Sequence, residues 1–275
     1  MPLIAITREM GSLGKDVAEG LGAAFNLPVV YNEVIEPTAD RMRVRKSHVK
    51  RLLDGSAGLF ERLTADKTSL SIYSADEILA SALNGRGAVI RGWGATQLLR
   101  EVPHAVCIRI CAPLELRKKR MLDRLGTSEA DQVGAEIAQN DEAHGAIMRR
   151  HFSVQWSDPE NYDLVLNTQR VSIAECVDEV AALVDSPEFA ETDESRRQLE
   201  NLALAWRVRA ALRLSARTRD AHVSVTAHDG RAELAGVLET ADERSAVNEV
   251  VASVHGVREI EDRLRTRDGL RPRFN

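Results

Sequence analysis

The stretch Leu3-Ile4-Ala5-Ile6-Thr7, followed by Arg8-Glu9-Met10-Gly11-Ser12-Leu13-Gly14-Lys15, decides the fold of this chain. The short apolar run predicts a buried strand, and the glycine-containing turn ends in a lysine. Apolar residues at helical spacing come next: Val17, Ala18, Leu21, Gly22 and Phe25. Strand, turn and helix in this order form a cradle for phosphate, because N–H groups at a helix N-terminus point at an anion and the helix dipole favours it.

The turn resembles a Walker A loop, G-x-x-x-x-G-K-[ST], but matches it only in part. Gly14 and Lys15 fit the pattern, whereas Glu9 stands where the first glycine belongs and Asp16 where the hydroxyl residue belongs. Spacing alone therefore leaves two interpretations open. One is a phosphate-binding loop, and the other is an ordinary strand-to-helix turn that contains glycine.

Composition limits the classes of partner. The chain has 275 residues and a net charge of −5, which argues against a general nucleic-acid binder or a binder of anionic membranes. No apolar run approaches the roughly 18 residues that a membrane span needs. The odd number of cysteines, Cys107, Cys111 and Cys176, favours reduced core thiols. Together with an N-terminus that enters its first strand at Leu3, these features predict a cytoplasmic protein without a transmembrane segment.

The first part of the chain alternates between strands and helices. Strands are predicted at Leu3–Thr7, Pro28–Tyr31, Gly87–Arg91, Ala105–Cys111 and Tyr162–Leu166. Helices are predicted at residues 15–26, 33–53, 71–84, 94–100, 113–124, 128–150 and 172–184. This alternation predicts an α/β fold with a mostly parallel sheet and helices on both faces. In such a sheet ligands bind beyond the carboxyl ends of the strands, where the Gly11–Lys15 turn lies.

The acidic segment Asp185–Ser195 interrupts this rhythm and predicts an exposed linker. A small α+β module follows, with a hairpin turn predicted at Asp229-Gly230 because a tight turn needs positive φ there. Its predicted elements are a helix at Arg196–Ser215, strands at Val223–Ala227 and Ala232–Val237, a helix at Ala241–Val254 and a strand at Val257–Arg265. Each part has its own apolar pattern, so each is expected to fold without the other.

Residues 1–187 resemble the cytidylate kinase-like family of P-loop kinases. That family writes its loop as S/T-R-E-x-G-S-x-G-K/R-x-[IV]-A, which Thr7–Ala18 follows, so Glu9 and Asp16 depart from Walker A but not from this family. The resemblance continues through four further segments: Leu27–Tyr31, Val89–Gly92, Leu116–Arg120 and Tyr162–Thr168. It implies a P-loop kinase-like domain that uses ATP and Mg²⁺.

Residues 198–268, after a linker at 188–197, resemble a BON domain. The segments that carry the resemblance are Val223–Val225, Asp229-Gly230, Leu234–Val237, Ala246 and Val254–Val257. BON modules are non-catalytic and are associated with membranes, envelope components or other proteins. The resemblances together imply nucleotide as the partner of the first domain and a protein or envelope-associated partner for the second.

The kinase resemblance also implies a set of site residues. Phosphate would be held by backbone amides of the loop and by the Lys15 side chain. The loop residues are Gly11, Ser12, Leu13, Gly14, Lys15 and Asp16. Ser12 is expected to act through its N–H rather than its hydroxyl. Asp16 either holds Mg²⁺ through water or simply complements the helix dipole. Arg117 and Arg120 belong either to a basic lid over the donor phosphates or to a solvated helix face.

The acceptor side departs from the family pattern. Asn32 replaces the usual aspartate, Trp93 a usual arginine and His144 another arginine near Asp141, while Arg91 ends its strand at the ligand-binding edge. Asn32, Arg91 and Trp93 are thus the candidate acceptor-binding residues. Three functions follow from these features: a nucleoside monophosphate kinase with a localising or regulatory BON module, a nucleotide-binding regulator with a degenerate kinase site, or a BON-type adaptor with an inert scaffold.

Overall fold

The structure is a computed structural model, and it describes residues 1–31, 34–53, 66–92 and 94–267. Its larger sheet has five parallel strands in the order β2-β3-β1-β4-β5. The strands are β1 (Leu3–Arg8), β2 (Val29–Val30), β3 (Ala88–Arg91), β4 (Ala105–Cys111) and β5 (Leu164–Asn167). The three central strands are almost wholly buried and nearly continuously apolar, as expected where helices cover both faces of a parallel sheet. The predicted fold class is confirmed.

Eight helices accompany this sheet in the described ranges. They are α1 (Gly14–Phe25), α2 (Ile35–Met42), α3 (Lys46–Leu53), α4 (Lys67–Ala82), α5 (Ala95–Leu99), α6 (Leu114–Leu125), α7 (Ala130–Phe152) and α8 (Ile173–Val184). The single helix predicted over 33–53 is wrong, because Arg43 adopts a left-handed φ of 57° and ends α2. A non-glycine residue in that region is uncommon, so composition gives no warning of the break.

Alternation along β1 divides the core between the two faces of the sheet. Ile4 and Ile6 pack with α1 and α8, in a cluster that includes Leu21 and Val180. Leu3 and Ala5 point the other way, into a cluster whose sheet-covering members are Ile78, Leu79, Leu98 and Leu99. Both faces are therefore covered, and the carboxyl edge of the sheet remains available for a ligand.

The small C-terminal sheet has the order β6-β7-β8, with β6 (Val223–His228), β7 (Arg231–Leu238) and β8 (Glu259–Thr266). Two helices, α9 (Asp193–Leu214) and α10 (Ala241–Ala252), complete this part. Asp229 and Gly230 have φ values of 47° and 83°, so the predicted tight hairpin turn is present between β6 and β7. Strand β8 then pairs with β7 in parallel after α10.

Helix α9 belongs to both parts of the molecule. Leu199 and Ala203 lie in the same buried cluster as Leu3 and Ala5 of the large sheet. Residues on the other face of the helix lie in the core of the small sheet: Leu204, Ala205, Val208 and Leu212. The structure therefore contradicts the expectation that the first part buries its core without the second.

The connection into α9 is short and anchored. Thr192 caps the helix in a capping box with Ser195, so α9 starts at Asp193 and takes in the last five residues of the predicted linker, 188–197. Ser195 Oγ also lies 2.8 Å from Nδ1 of the buried His104, and Glu191 pairs with the N-terminal amine at 2.6 Å. The start of α9 therefore has tertiary contacts, which the acidic composition of this segment does not indicate. The division at 187 and 198 stays a prediction.

The described helices lack the features of a membrane span. None of them, in the ranges given above, combines the length and the apolar character needed to cross a bilayer. Cys107, Cys111 and Cys176 are free thiols; Cys107 and Cys176 are buried in the core, as predicted, whereas Cys111 is only partly buried.

Candidate functional site

The turn after β1 has a backbone that needs its two glycines. Gly11 has a φ of +82°, and a Cβ placed there would lie 2.8 Å from the carbonyl oxygen of Arg117. A Cβ on Gly14 would lie 2.6 Å from Cβ of Arg8. Leu13 is left-handed, with a φ of 64°, and brings the chain into α1 at Gly14. The N–H groups of the first turn of α1 have no partners inside the helix and face the space beyond β1.

Glu9, which departs from Walker A, is the anchor of this loop. Its Oε1 accepts from Nη2 of Arg109 at 2.6 Å, and its Oε2 accepts from the N–H of Ala112 at 3.1 Å and lies 3.4 Å from Nε of Arg117. Arg117 in turn donates to Asp141 at 2.9 Å. Two buried arginines and two carboxylates therefore tie the loop to β4, α6 and α7. A glycine at position 9 would remove this anchor.

Ser12 also has a structural role. Its hydroxyl donates to the carbonyl of Glu9 at 2.7 Å and lies 3.1 Å from the carbonyl of Ile110, so it is not aimed at a ligand. Its N–H donates to the Glu9 carbonyl at 3.2 Å. This hydrogen bond within the turn occupies the N–H of Ser12, which was expected to bind phosphate. The better placed donors are the N–H groups of Gly14, Lys15 and Asp16.

A cavity of about 780 Å³ opens above the loop, at the carboxyl edge of the sheet. Most of the predicted site residues line it: Gly11, Leu13, Gly14, Lys15, Asp16, Arg91 and Arg120. Ser12 and Arg117 lie outside its lining. Among the described lining residues, six are basic and three are acidic. The basic residues are Arg8, Lys15, Lys50, Arg91, Arg120 and Arg124, and the acidic ones are Asp16, Asp123 and Glu136. The excess of positive charge favours an anionic ligand.

Lys15 and Asp16 stand at the start of α1, at the edge of this cavity. The Lys15 side chain is half exposed, and its Nζ lies 3.3 Å from Oε1 of Glu19 one turn further along. A surface pair of this kind is weak, so the ammonium is free to turn toward a phosphate. The described residues hold no group of three or more acidic, histidine or cysteine side chains suited to a metal ion. Asp16 would therefore contribute to a Mg²⁺ site only alongside phosphate oxygens and water.

The two arginines predicted for a lid have different positions. Arg120 lines the cavity and donates to Oγ1 and to the carbonyl of Thr168, at 2.9 and 2.8 Å, while Thr168 Oγ1 donates to the carbonyl of Ser12. Arg117 is buried under the loop in the network with Glu9. Arg117 is thus a residue that positions the loop. Arg124, one turn beyond Arg120 on α6, lines the cavity as Arg117 was expected to do.

The acceptor side is described only in part, because Asn32 and Trp93 lie outside the described residues. Arg91 is nine-tenths buried at the end of β3, and its guanidinium carbon lies 3.9 Å from the centre of the Tyr31 ring. Both side chains line the cavity. The sheet order places them on one side of the loop and α6 on the other.

Comparison with known proteins agrees with this geometry. The model of the cytidylate kinase-like family matches residues 3–170, which is more than half of the chain. The chain belongs to the cytidylate kinase-like family. The model of the BON domain matches residues 202–268, so the cytidylate kinase-like domain is followed by a BON domain. No functionally curated protein matches the chain.

Several solved structures are similar to the cytidylate kinase-like domain. An uncharacterised protein from Eubacterium ventriosum is 22% identical, with a TM-score of 0.52 over 68% of this chain and 99% of that one. Shikimate kinase from Bacteroides thetaiotaomicron is 14% identical, with a TM-score of 0.43 over 67% of this chain and 99% of that one. Shikimate kinase from Acinetobacter baumannii is 12% identical, with a TM-score of 0.39 over 67% and 93%. At 22% identity the similarity to the Eubacterium ventriosum protein concerns the fold alone.

Several cavity residues of the cytidylate kinase-like domain were missed by sequence reasoning. Arg8 is the last residue of β1, and a basic residue at the carboxyl end of the central strand was an available signal. No such signal marked Lys50 of α3 or three polar residues of α7, which are Glu136, Gln139 and Asn140. They reach the cavity only because their helices fold back over the sheet edge.

His144 and Asp141 lie one turn apart on α7 and contact different residues. Asp141 pairs with Arg117, and His144 packs edge-on against Trp156 with ring centres 5.1 Å apart. Removal from water, with a smaller contribution from the Arg8 guanidinium, lowers the pKa of His144 to about 4. A neutral imidazole is therefore part of the folded protein at neutral pH.

The low pKa of His144 predicts a loss of stability in mild acid. The unfolded chain takes up a proton near pH 6.5, whereas the folded protein does not until about pH 4. The free energy of unfolding should thus fall as the pH is lowered through this window, by about 2 kcal/mol between pH 7.5 and pH 5. Urea unfolding at both pH values, for the wild type and for His144→Phe, measures the difference.

The variant keeps an aromatic ring and cannot titrate, so it should lose less stability than the wild type over the same interval. His104, whose pKa is also lowered by burial, contributes a loss of the same sign that the variant retains. Identical pH dependence in both proteins would contradict the assignment to His144.

Proposed function

We propose that this protein is an ATP-dependent phosphotransferase of the nucleoside monophosphate kinase type, with its BON domain as a localising or regulatory attachment. One observation carries the proposal: the first-turn amides of α1 open into a cavity of about 780 Å³ whose walls hold six basic side chains. Amides at a helix start and an excess of positive charge are what polyphosphate binding requires. The volume also lies within the usual range of small-molecule sites.

Phosphoryl transfer depends chiefly on positioning and on charge stabilisation. The N–H groups of Gly14 and Lys15 would hold the β-phosphate, and the Lys15 ammonium would bridge toward the γ-phosphate. Arg120 and Arg124 would offset charge from the α6 side. Mg²⁺, held by phosphate oxygens and by Asp16 through water, would supply charge neutralisation.

The acceptor would enter from the side of β2 and β3. Arg91 offers a buried guanidinium for a phosphate, and the Tyr31 ring beneath it holds the guanidinium plane. The loop lies between this pair and the arginines of α6, because β1 stands between β3 and β4 in the sheet. Donor and acceptor phosphates would therefore meet above the loop, with cations on both sides.

Lys15→Ala tests the phosphate site directly. The variant loses a charge-assisted hydrogen bond worth about 1.5–3 kcal/mol, so its dissociation constant for ATP should rise by about 10- to 150-fold. Isothermal titration calorimetry with Mg²⁺ and ATP gives the affinity. Lys119→Ala is the matched control, because Lys119 is exposed on α6 and does not line the cavity. Equal ATP affinity in folded Lys15→Ala and wild-type protein would contradict the proposal.

A nucleotide-binding regulator is the second candidate function, and the shared helix α9 favours it. Because α9 packs into both cores, a change in the first domain has a continuous route to the BON domain. The departures at Asn32 and Trp93 also point to a changed acceptor. If Asn32 and Trp93 replace acceptor-binding groups, CMP and dCMP are expected to be phosphorylated slowly or not at all, while ATP still binds.

A coupled assay of ADP release with ATP and either acceptor distinguishes the two functions. Turnover within the roughly 1–100 s⁻¹ of ordinary kinases would refute the regulator and establish simple nucleotide kinase activity. ATP binding without turnover on either acceptor would support the regulator. A cytoplasmic location, and a protein or envelope-associated partner for the BON domain, remain proposals beside both functions.

A further inference from the structure

Arg8 is the last residue of the central strand β1, and it lines the cavity above the loop. Two residues earlier, Ile6 pairs with Arg91 at the end of β3. On the other side, Arg8 itself pairs with Ile110 of β4, the strand that leads into α6. Arg8 therefore stands at the middle of the carboxyl edge, between the guanidinium of Arg91 and the arginines of α6.

The Arg8 side chain runs across the start of α1. A Cβ placed on Gly14, the first residue of that helix, would lie 2.6, 3.2 and 3.1 Å from Cβ, Cγ and Cδ of Arg8. The stem of the arginine thus occupies the space that any larger residue at position 14 would need. The guanidinium beyond this stem lies close enough to His144 of α7 to contribute to the low pKa of that imidazole.

The Arg8 guanidinium has no hydrogen bond and no ion pair in the described parts of the chain. Arg109, by contrast, pairs with Glu9 at 2.6 Å. Three acidic residues of the same cavity do not pair with Arg8, and these are Asp16, Asp123 and Glu136. The start of α1 adds the positive end of a helix dipole, and the neutral His144 adds no negative charge. A partly buried cation in these surroundings is unfavourable until an anion joins it.

We propose that Arg8 binds the terminal phosphate of a nucleoside triphosphate and makes the site prefer a triphosphate to a diphosphate. This role rests on the proposed function, in which the amides at the start of α1 hold the β-phosphate. A phosphate chain that continues from those amides toward Arg91 passes the end of β1, where Arg8 lies. A triphosphate supplies the missing counter-charge there. A diphosphate ends at the amides and does not.

Arg8→Met tests this role in the full-length protein, because methionine keeps an unbranched stem across Gly14 and removes the charge. Isothermal titration calorimetry in the presence of Mg²⁺ gives the affinities for ATP and ADP. The wild type should bind ATP at least about 10-fold more tightly than ADP. The variant should lose about 10- to 100-fold in ATP affinity, the effect of one charge-assisted hydrogen bond, and less than about 3-fold in ADP affinity.

Two further variants sharpen the comparison. Arg8→Lys keeps a positive charge without the planar fork of donors, so its ATP affinity should lie between those of the wild type and Arg8→Met. Arg86→Met is the matched control, because Arg86 is exposed before β3 and does not line the cavity. It should bind ATP and ADP like the wild type.

Thermal unfolding without nucleotide separates ligand binding from a structural role. Since Arg8→Met removes a charge that has no partner in the described residues, it should unfold at the wild-type temperature or above it. A variant that unfolds earlier or fails to fold indicates a structural arginine and overturns the proposal. Equal loss of ATP and ADP affinity, or no loss of either, also overturns it and leaves the proposed function standing. Wild-type protein that binds neither nucleotide contradicts the proposed function and the role of Arg8 together.

Discussion

Leu199→Ala is expected to lower the free energy of unfolding by about 2–4 kcal/mol, the usual cost of emptying a buried leucine site. Leu199 is 4% exposed on α9 and packs into the same cluster as Leu3 and Ala5 of β1. The variant therefore leaves a void in the core of the cytidylate kinase-like domain, although the residue lies beyond that domain in sequence. Urea denaturation followed by circular dichroism gives the change.

Leu214→Ala is the matched control, because Leu214 ends the same helix and is 53% exposed. It should change the free energy of unfolding by no more than about 0.5 kcal/mol. A fragment that stops at residue 190 lacks Leu199 and Ala203 altogether and should lose stability for the same reason. If Leu199→Ala matched the control, α9 would not seal the first core, and the expectation of independent folding would be restored.

The fold was largely predictable because its signals are local. Apolar runs placed all five strands of the large sheet within one or two residues at each end, although β2 is two residues shorter than expected. The turn at Asp229-Gly230 followed from the positive φ that a tight hairpin requires. The loop between β1 and α1 followed from a strand, two glycines and a lysine in sequence. None of these inferences depends on contacts between residues that are distant in the sequence.

The shared helix could not be predicted in the same way. A pattern of apolar residues shows that a face is buried but does not identify the surface that covers it. One signal was available: α9 carries apolar residues around much of its circumference, with Leu199 and Ala203 on one face and Leu204 and Val208 on another. A helix that is apolar on several faces is buried on several sides. The acidic segment before α9 predicted an exposed linker, so the apolar faces of this helix were not interpreted as contacts with both parts of the chain.

The site shows the same division between local and distant information. Lys15 and Gly14 were identified from the loop, and the structure places both at the cavity. Arg117 and Arg120 were treated alike because they share a basic helix, yet only Arg120 reaches the cavity. What separates them is Glu9, about a hundred residues away, which holds Arg117 beneath the loop. A charge cluster in a sequence does not reveal which of its members has a buried partner.

Glu9→Gln is expected to have the largest effect of any single change near the loop. The variant removes one of two carboxylates that face the buried Arg109 and Arg117, and its amide NH₂ would oppose either the Arg109 guanidinium or the N–H of Ala112. Leaving a buried charge without its partner costs about 3–5 kcal/mol. Thermal and urea unfolding measure this loss, and calorimetry with ATP gives a second reading, because a displaced loop should also bind phosphate less well.

Glu115→Gln is the control for Glu9→Gln, because Glu115 pairs with Lys118 at 2.9 Å on the surface of α6, with the carboxylate side chain 82% exposed. A surface pair is worth about 0–1 kcal/mol, so this variant should unfold almost like the wild type and keep its ATP affinity. The two variants make the same chemical change and differ only in burial. An equal, small loss in both would mean that the backbone bonds of the turn hold the loop unaided, and Glu9 would then be dispensable as its anchor.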